Sequence, residues 1–157
     1  MLNFTFIVEK DGQQSKVVHP VEGDAWMCSR VFRNMIADCG MDASSMDMDL
    51  PVSSDADGAL DPNVMVALLE ICSIFSEKEI TDANWHTDHQ EEVKPIFKAI
   101  LEKYASDTSK DATRSLLFSM AKVANFIECD NQCEGTDAYI LEAICFVIAN
   151  MMHDGDI

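Results

Sequence analysis

The stretch from Ala138 to Met152 constrains this chain more than any other. Its residues are apolar nearly all round a helical period, interrupted by Glu142 and Asn150. A helix of that kind has no face to offer water, so other elements must enclose it. It is too short to span a bilayer and reads as a core helix, not as an anchor. With 157 residues the chain can form one domain with a real core. The 48% hydrophobic content fits a packed globule rather than a disordered acidic tail.

Helices that could do the enclosing are legible upstream. Asp61-Pro62-Asn63 opens one, with Pro at the first helical position, and Val64, Leu68, Ile71, Cys72 and Phe75 form its buried stripe. Glu91 to Ala105 forms a second, with Val93, Ile96, Phe97, Ile100, Leu101 and Tyr104 on one face. Pro95 is then expected in its first turn, because a later position would break it. A third helix, capped by Asp111 or Thr113, runs through Leu116, Leu117, Met120, Val123, Ala124 and Ile127. Between them, Glu77 to Gln90 reads as a surface loop and Ser106 to Lys110 as a linker. Glu128 to Gly135 reads as an acidic loop flanked by cysteines.

The N-terminal third has a different period. Leu2, Phe4, Phe6 and Val8 alternate with polar residues, as in a half-buried strand. Asp11-Gly12 suits the turn of a hairpin, Ser15 to His19 returns as a second strand, and Pro20 is expected to end it. A helix follows from near Asp24. Val31, Met35 and Cys39 line one row of it, Phe32 and Ile36 the next, and Gly40 supplies a C-cap. Met48 to Ser53 is a short extended piece that Pro51 confines to a sheet edge. Two strands, a helix, an edge strand and a helical cluster predict an α+β domain.

The charge excludes several functions. A formal net charge of -17 at pH 7 argues against nucleic-acid binding, which depends on Lys and Arg displacing counterions. It also disfavours anionic membranes and fits a partner that supplies basic residues. Met1-Leu-Asn-Phe-Thr-Phe lacks the basic region of a secretory signal, so the six cysteines are expected to be reduced thiols. A cytoplasmic and nuclear location is the expectation.

Chemistry-bearing patterns fall short one by one. Cys129 and Cys133 give two thiolates at a usable spacing, but a structural zinc site needs four ligands, and no second pair lies nearby. Asp55-Ala-Asp57-Gly58 fails as a calcium loop, because Val64 stands where a bidentate Glu is required. There is no nucleophile elbow and no phosphate-binding glycine loop. No catalytic residue, cofactor or metal is assigned, and the chain is not expected to be an enzyme. Recognition remains, and the ten methionines suit adaptable apolar contacts.

Three segments, in order, resemble the S-phase-kinase-associated adaptor family. They are Ser29 to Asp42 with its Asp38-Cys-Gly40-Met41-Asp42 ending, Pro62 to Leu69, and Ala121-Lys-Val-Ala124-Asn125-Phe126-Ile127 followed by Ile144 to Met152. Members are small BTB/POZ-fold subunits linking cullins to F-box proteins in SCF ubiquitin ligases. The resemblance implies a BTB/POZ-like fold, a small N-terminal sheet with a cluster of helices. It implies a non-catalytic adaptor between a cullin-like scaffold and an F-box or F-box-like protein, serving ubiquitin-dependent degradation.

By the same resemblance, the cullin-facing Asn-Tyr pair falls on Asn125 and Phe126, where Phe keeps the ring and loses the hydroxyl. The F-box contacts fall on Leu117, Phe118, Leu141, Ile144 and Ile148. Read from the residues alone, Leu117 and the last helix fit a core equally well. The family's further helices, which clasp the F-box, have no counterpart after Met152 in this sequence. The alternative reading is a structural assembly protein that uses the same body to form homodimers or other oligomers. A zinc- or redox-responsive protein centred on Cys129 and Cys133 is the third.

Overall fold

The computed structural model describes residues 2–10, 12–21, 29–39, 47–53, 62–81, 83–126 and 138–157. In chain order these form β1 (Leu2–Lys10), β2 (Gln13–Val21), α1 (Arg30–Cys39), β3 (Asp47–Ser53) and α2 (Pro62–Glu77). They continue with α3 (Gln90–Tyr104), α4 (Lys110–Phe126) and α5 (Ala138–His153).

The core is helical. Met65, Leu68, Ile71 and Phe75 of α2 are buried together with Val93, Phe97, Ile100 and Leu101 of α3. Phe75 and Phe97 meet edge to face, with centroids 6.1 Å apart, an arrangement that adds to their burial. From α4 come Leu117, Met120, Val123 and Ala124, and from α5 Ile140, Ala143, Ile144 and Val147. α2 packs on both α3 and α4, and α5 lies against α3 and α4. Phe32 of α1 joins the same cluster. Trp85, in the turns before α3, is also buried there, and its ring stands 5.7 Å from that of Phe146.

The expected α+β class, with a BTB/POZ-like body built on a small N-terminal sheet, is corrected by this arrangement. The described residues are mostly helical, and every buried apolar side chain among them belongs to a helix or to the turns between α2 and α3. β1 pairs antiparallel with β2 (Phe4 opposite His19) and parallel with β3 (Phe6 opposite Leu50), giving the order β2-β1-β3. None of the strand side chains described is buried. Alternation thus produces strand pairing, and the buried side chains among the described residues come mainly from the long 3.6-period segments. Pro20 does not end β2 but sits within it, opposite Asn3. β2 is an edge strand, where a missing N–H is tolerated.

Helix ends depart from expectation for identifiable reasons. α4 is capped by Ser109, whose Oγ accepts the Ala112 N–H at 3.1 Å, and not by Asp111 or Thr113. α1 is capped by Ser29, whose Oγ accepts the Phe32 N–H at 3.2 Å; Asp24 and Gly40 lie outside the described residues. Pro95 lies in the second turn of α3, since the helix starts at Gln90. α2 closes with Glu79 in the left-handed region (φ 55). There the Ile80 N–H reaches Phe75 O at 2.9 Å and the Glu79 N–H reaches Ser76 O at 3.1 Å. α5 ends the same way on Gly155 (φ 75), with Asp156 N–H on Met151 O and Gly155 N–H on Met152 O.

Candidate partner-binding faces

Two helical surfaces expose apolar side chains that the rest of the fold would be expected to hide. The first is on α5. Successive positions four and three apart bring Leu141, Cys145, Ile148 and Met152 onto one strip of the helix, with Ala149 beside it. Leu141 and Ile148 are half-buried, Cys145 and Ala149 are exposed, and Met152 is 58% exposed. Their neighbours Ile144, Val147 and Met151 point the other way, into the core. The helix is therefore apolar all round but enclosed on only part of its circumference.

The second surface is on α4. Phe118 is 41% exposed and stands at the centre of the solvent side of that helix. Arg114 and Lys122 flank it one turn before and after, and Asn125 lies about two turns on, all exposed. Arg114 is held by Asp111 of the preceding turn, whereas Lys122 makes no ion pair among the described residues.

The structure separates the residues singled out from the sequence. Phe118 and Asn125 share the open side of α4. Leu141 and Ile148 share the strip on α5. Leu117 and Ile144 are fully buried, so they support these surfaces from behind and offer nothing to a partner. Phe126 is the last residue of α4, and its side chain lies outside the described residues. Cys145, Ala149 and Met152 were not singled out. Their signal was present in the sequence as an apolar helix too greasy for its own core, but which side stays open depends on how α3 and α4 pack.

Electrostatics fix the frame behind these faces. Glu70 of α2 accepts hydrogen bonds from Tyr104 Oη and from Lys103 Nζ, tying α2 to the end of α3. Burial, then the hydrogen bond to Glu70, pushes the Tyr104 phenol up. Lys94 bonds Asp154, and Asp156 sits 3.3 Å from Lys98 and 3.4 Å from Lys94, which pins the end of α5 to α3. The Lys98 hydrogen bond leads the effects that hold the Asp156 carboxyl below its usual range. Among the described residues, no group of three or more His, Cys, Asp or Glu side chains is placed to hold a metal ion. None of the described helices is long and apolar enough to cross a membrane. Cys129 and Cys133 lie outside the described residues.

No protein-family model, curated protein or solved structure matches the chain.

Proposed function

We propose that the chain is a non-catalytic protein–protein adaptor whose partner helix docks on the open strip of α5. The supporting observation is that strip: Leu141, Cys145, Ile148, Ala149 and Met152 form an apolar row on the outside of an otherwise enclosed helix. An amphipathic partner helix laid along such a row removes apolar area from water at about 25 cal/mol per Å2. The α4 side is the second contact surface, where Asn125 would meet a scaffold and Phe118 would extend the contact with the partner on α5. On the motif resemblance the two partners are an F-box-like protein on α5 and Phe118 and a cullin-like scaffold at Asn125, within ubiquitin-dependent degradation.

Affinity purification with mass spectrometry from native cells tests this reading. A cullin-like and an F-box-like protein should co-purify with the wild type. Met152→Glu, at an exposed site, should lose the F-box-like protein and keep the scaffold, and Asn125→Ala should do the reverse. Recovery of neither partner would sink the proposal. The same strip could instead bury against a second copy, so light scattering at micromolar concentration separates an adaptor monomer from a self-assembling protein.

A further inference from the structure

The last turn of α3, the first turn of α4 and the last turn of α5 surround a cleft of about 510 Å3. That is within the range of about 300–1,000 Å3 typical of ligand pockets. Leu101, Ala105 and Met151 contribute its apolar part, and Glu102, Asp107 and Asp156 are its acidic groups. Lys98 also lines it, but that charge is already answered by Asp156 at 3.3 Å. Glu102 has no hydrogen bond or ion pair among the described residues. Asp107 accepts the Ser109 N–H at 2.7 Å and the Ser109 hydroxyl, and its carboxylate is exposed, so it keeps acceptor capacity for a further donor. Two helices, α3 and α5, present their negative C-terminal ends here, against one N-terminal end from α4. Around the cleft lies a chain of net charge -17, whose field draws cations toward it.

We infer that this cleft receives an arginine side chain from a protein partner. The aliphatic stem would lie on Leu101, Ala105 and Met151, and the guanidinium would pair with Glu102 and Asp107. Arginine suits the site because its stem is apolar and its planar head bonds carboxylates in pairs. The choice of a protein as occupant rests on the adaptor reading, and the cleft then adds a contact at a third position, away from the middle of α4 and the strip on α5.

The test is a titration of the full chain, labelled at its methionine methyl groups, with the blocked peptide acetyl-Ala-Arg-Ala-amide. The Met151 methyl should shift and saturate, and acetyl-Ala-Gln-Ala-amide should leave it in place. Glu102→Gln combined with Asp107→Asn should weaken binding about tenfold, the scale of a lost charged hydrogen bond. Glu102→Gln alone touches no fold contact and should weaken it several-fold, which guards against a folding defect at the start of α4. Asp88→Asn with Glu91→Gln removes equal charge at the far end of α3 and should change nothing. Equal weakening by both pairs would mean bulk attraction of a cation and would overturn the inference, as would the lack of a saturable Met151 shift. Cys145→Glu, which spoils the α5 strip, should leave the titration unchanged, so failure of the adaptor reading registers separately.

Discussion

Leu117 and Phe118 are neighbours in sequence with opposite fates, and the difference decides what each can do. Leu117 is fully buried between helices, while Phe118 is 41% exposed. Leu117→Ala should cost about 3 kcal/mol in urea denaturation, through lost transfer energy and the cavity left behind. Phe118→Ala should change stability by less than about 0.5 kcal/mol and show its effect only in recovery of the F-box-like partner. Sequence alone could not order this pair, because both residues fit an apolar helix and only the packing direction of α4 distinguishes them.

A second residue-scale prediction concerns alkaline pH. Tyr104 has its phenol pKa raised above the ordinary 10.0, by burial and then by the bond to Glu70. A folded value above the unfolded one means that its contribution is complete below pH 10 and is lost as pH rises through the raised value. Thermal unfolding followed from pH 9 upward should therefore fall more steeply for the wild type than for Tyr104→Phe. Parallel curves would show that the Glu70 contact contributes nothing.

At the scale of elements, helix ends carry the testable content. Ser109 satisfies an N–H of the first turn of α4, so Ser109→Ala should cost about 1 kcal/mol. Pro95 lacks the N–H that would bond Glu91 O in the second turn of α3. Pro95→Ala restores that donor and should stabilise by about 2 kcal/mol, the helix gain less the added freedom of the unfolded chain. A destabilised Pro95→Ala protein would mean that the ring itself packs usefully.

These two sites also show what could be read beforehand. The apolar pattern places α3 and α5 within a residue of their observed ends, α3 by its repeating stripe and α5 by the extent of its apolar run. Caps were less legible. Ser109 competes with Asp107, Asp111 and Thr113 within a few residues, and each is a plausible cap until the chain direction is known. The sequence pattern starts α3 at Glu91 with Pro95 in the first turn. Pro95 is nonetheless the fifth residue even from that start, past one turn of about 3.6 residues, and the observed start at Gln90 places it in the second turn.

For the whole molecule, the class was the part least legible in the sequence. An alternating N-terminus and Asp11-Gly12 imply strands correctly as local structure, but they do not say where the buried area accumulates. Among the described residues it accumulates mainly among α2 to α5, and these residues are mostly helical.

The same helices must hold together 28 acidic residues against 11 basic ones. Most ion pairs described use lysines of α3, among them Lys94, Lys98 and Lys103. Exposed pairs of this kind are screened by solvent and contribute little, too little to offset the repulsion among the remaining carboxylates. Salt weakens both effects, but the Debye length shrinks from about 30 Å at 0.01 M to about 10 Å at 0.1 M, so long-range repulsion is relieved across that range. Close pairs, well inside either length, are screened less. The melting temperature should accordingly rise on adding sodium chloride between these concentrations, and it should rise less for a variant in which several exposed carboxylates are made amides. A fall with salt would mean that the lysine pairs along α3, and not the acidic excess, set the electrostatic balance.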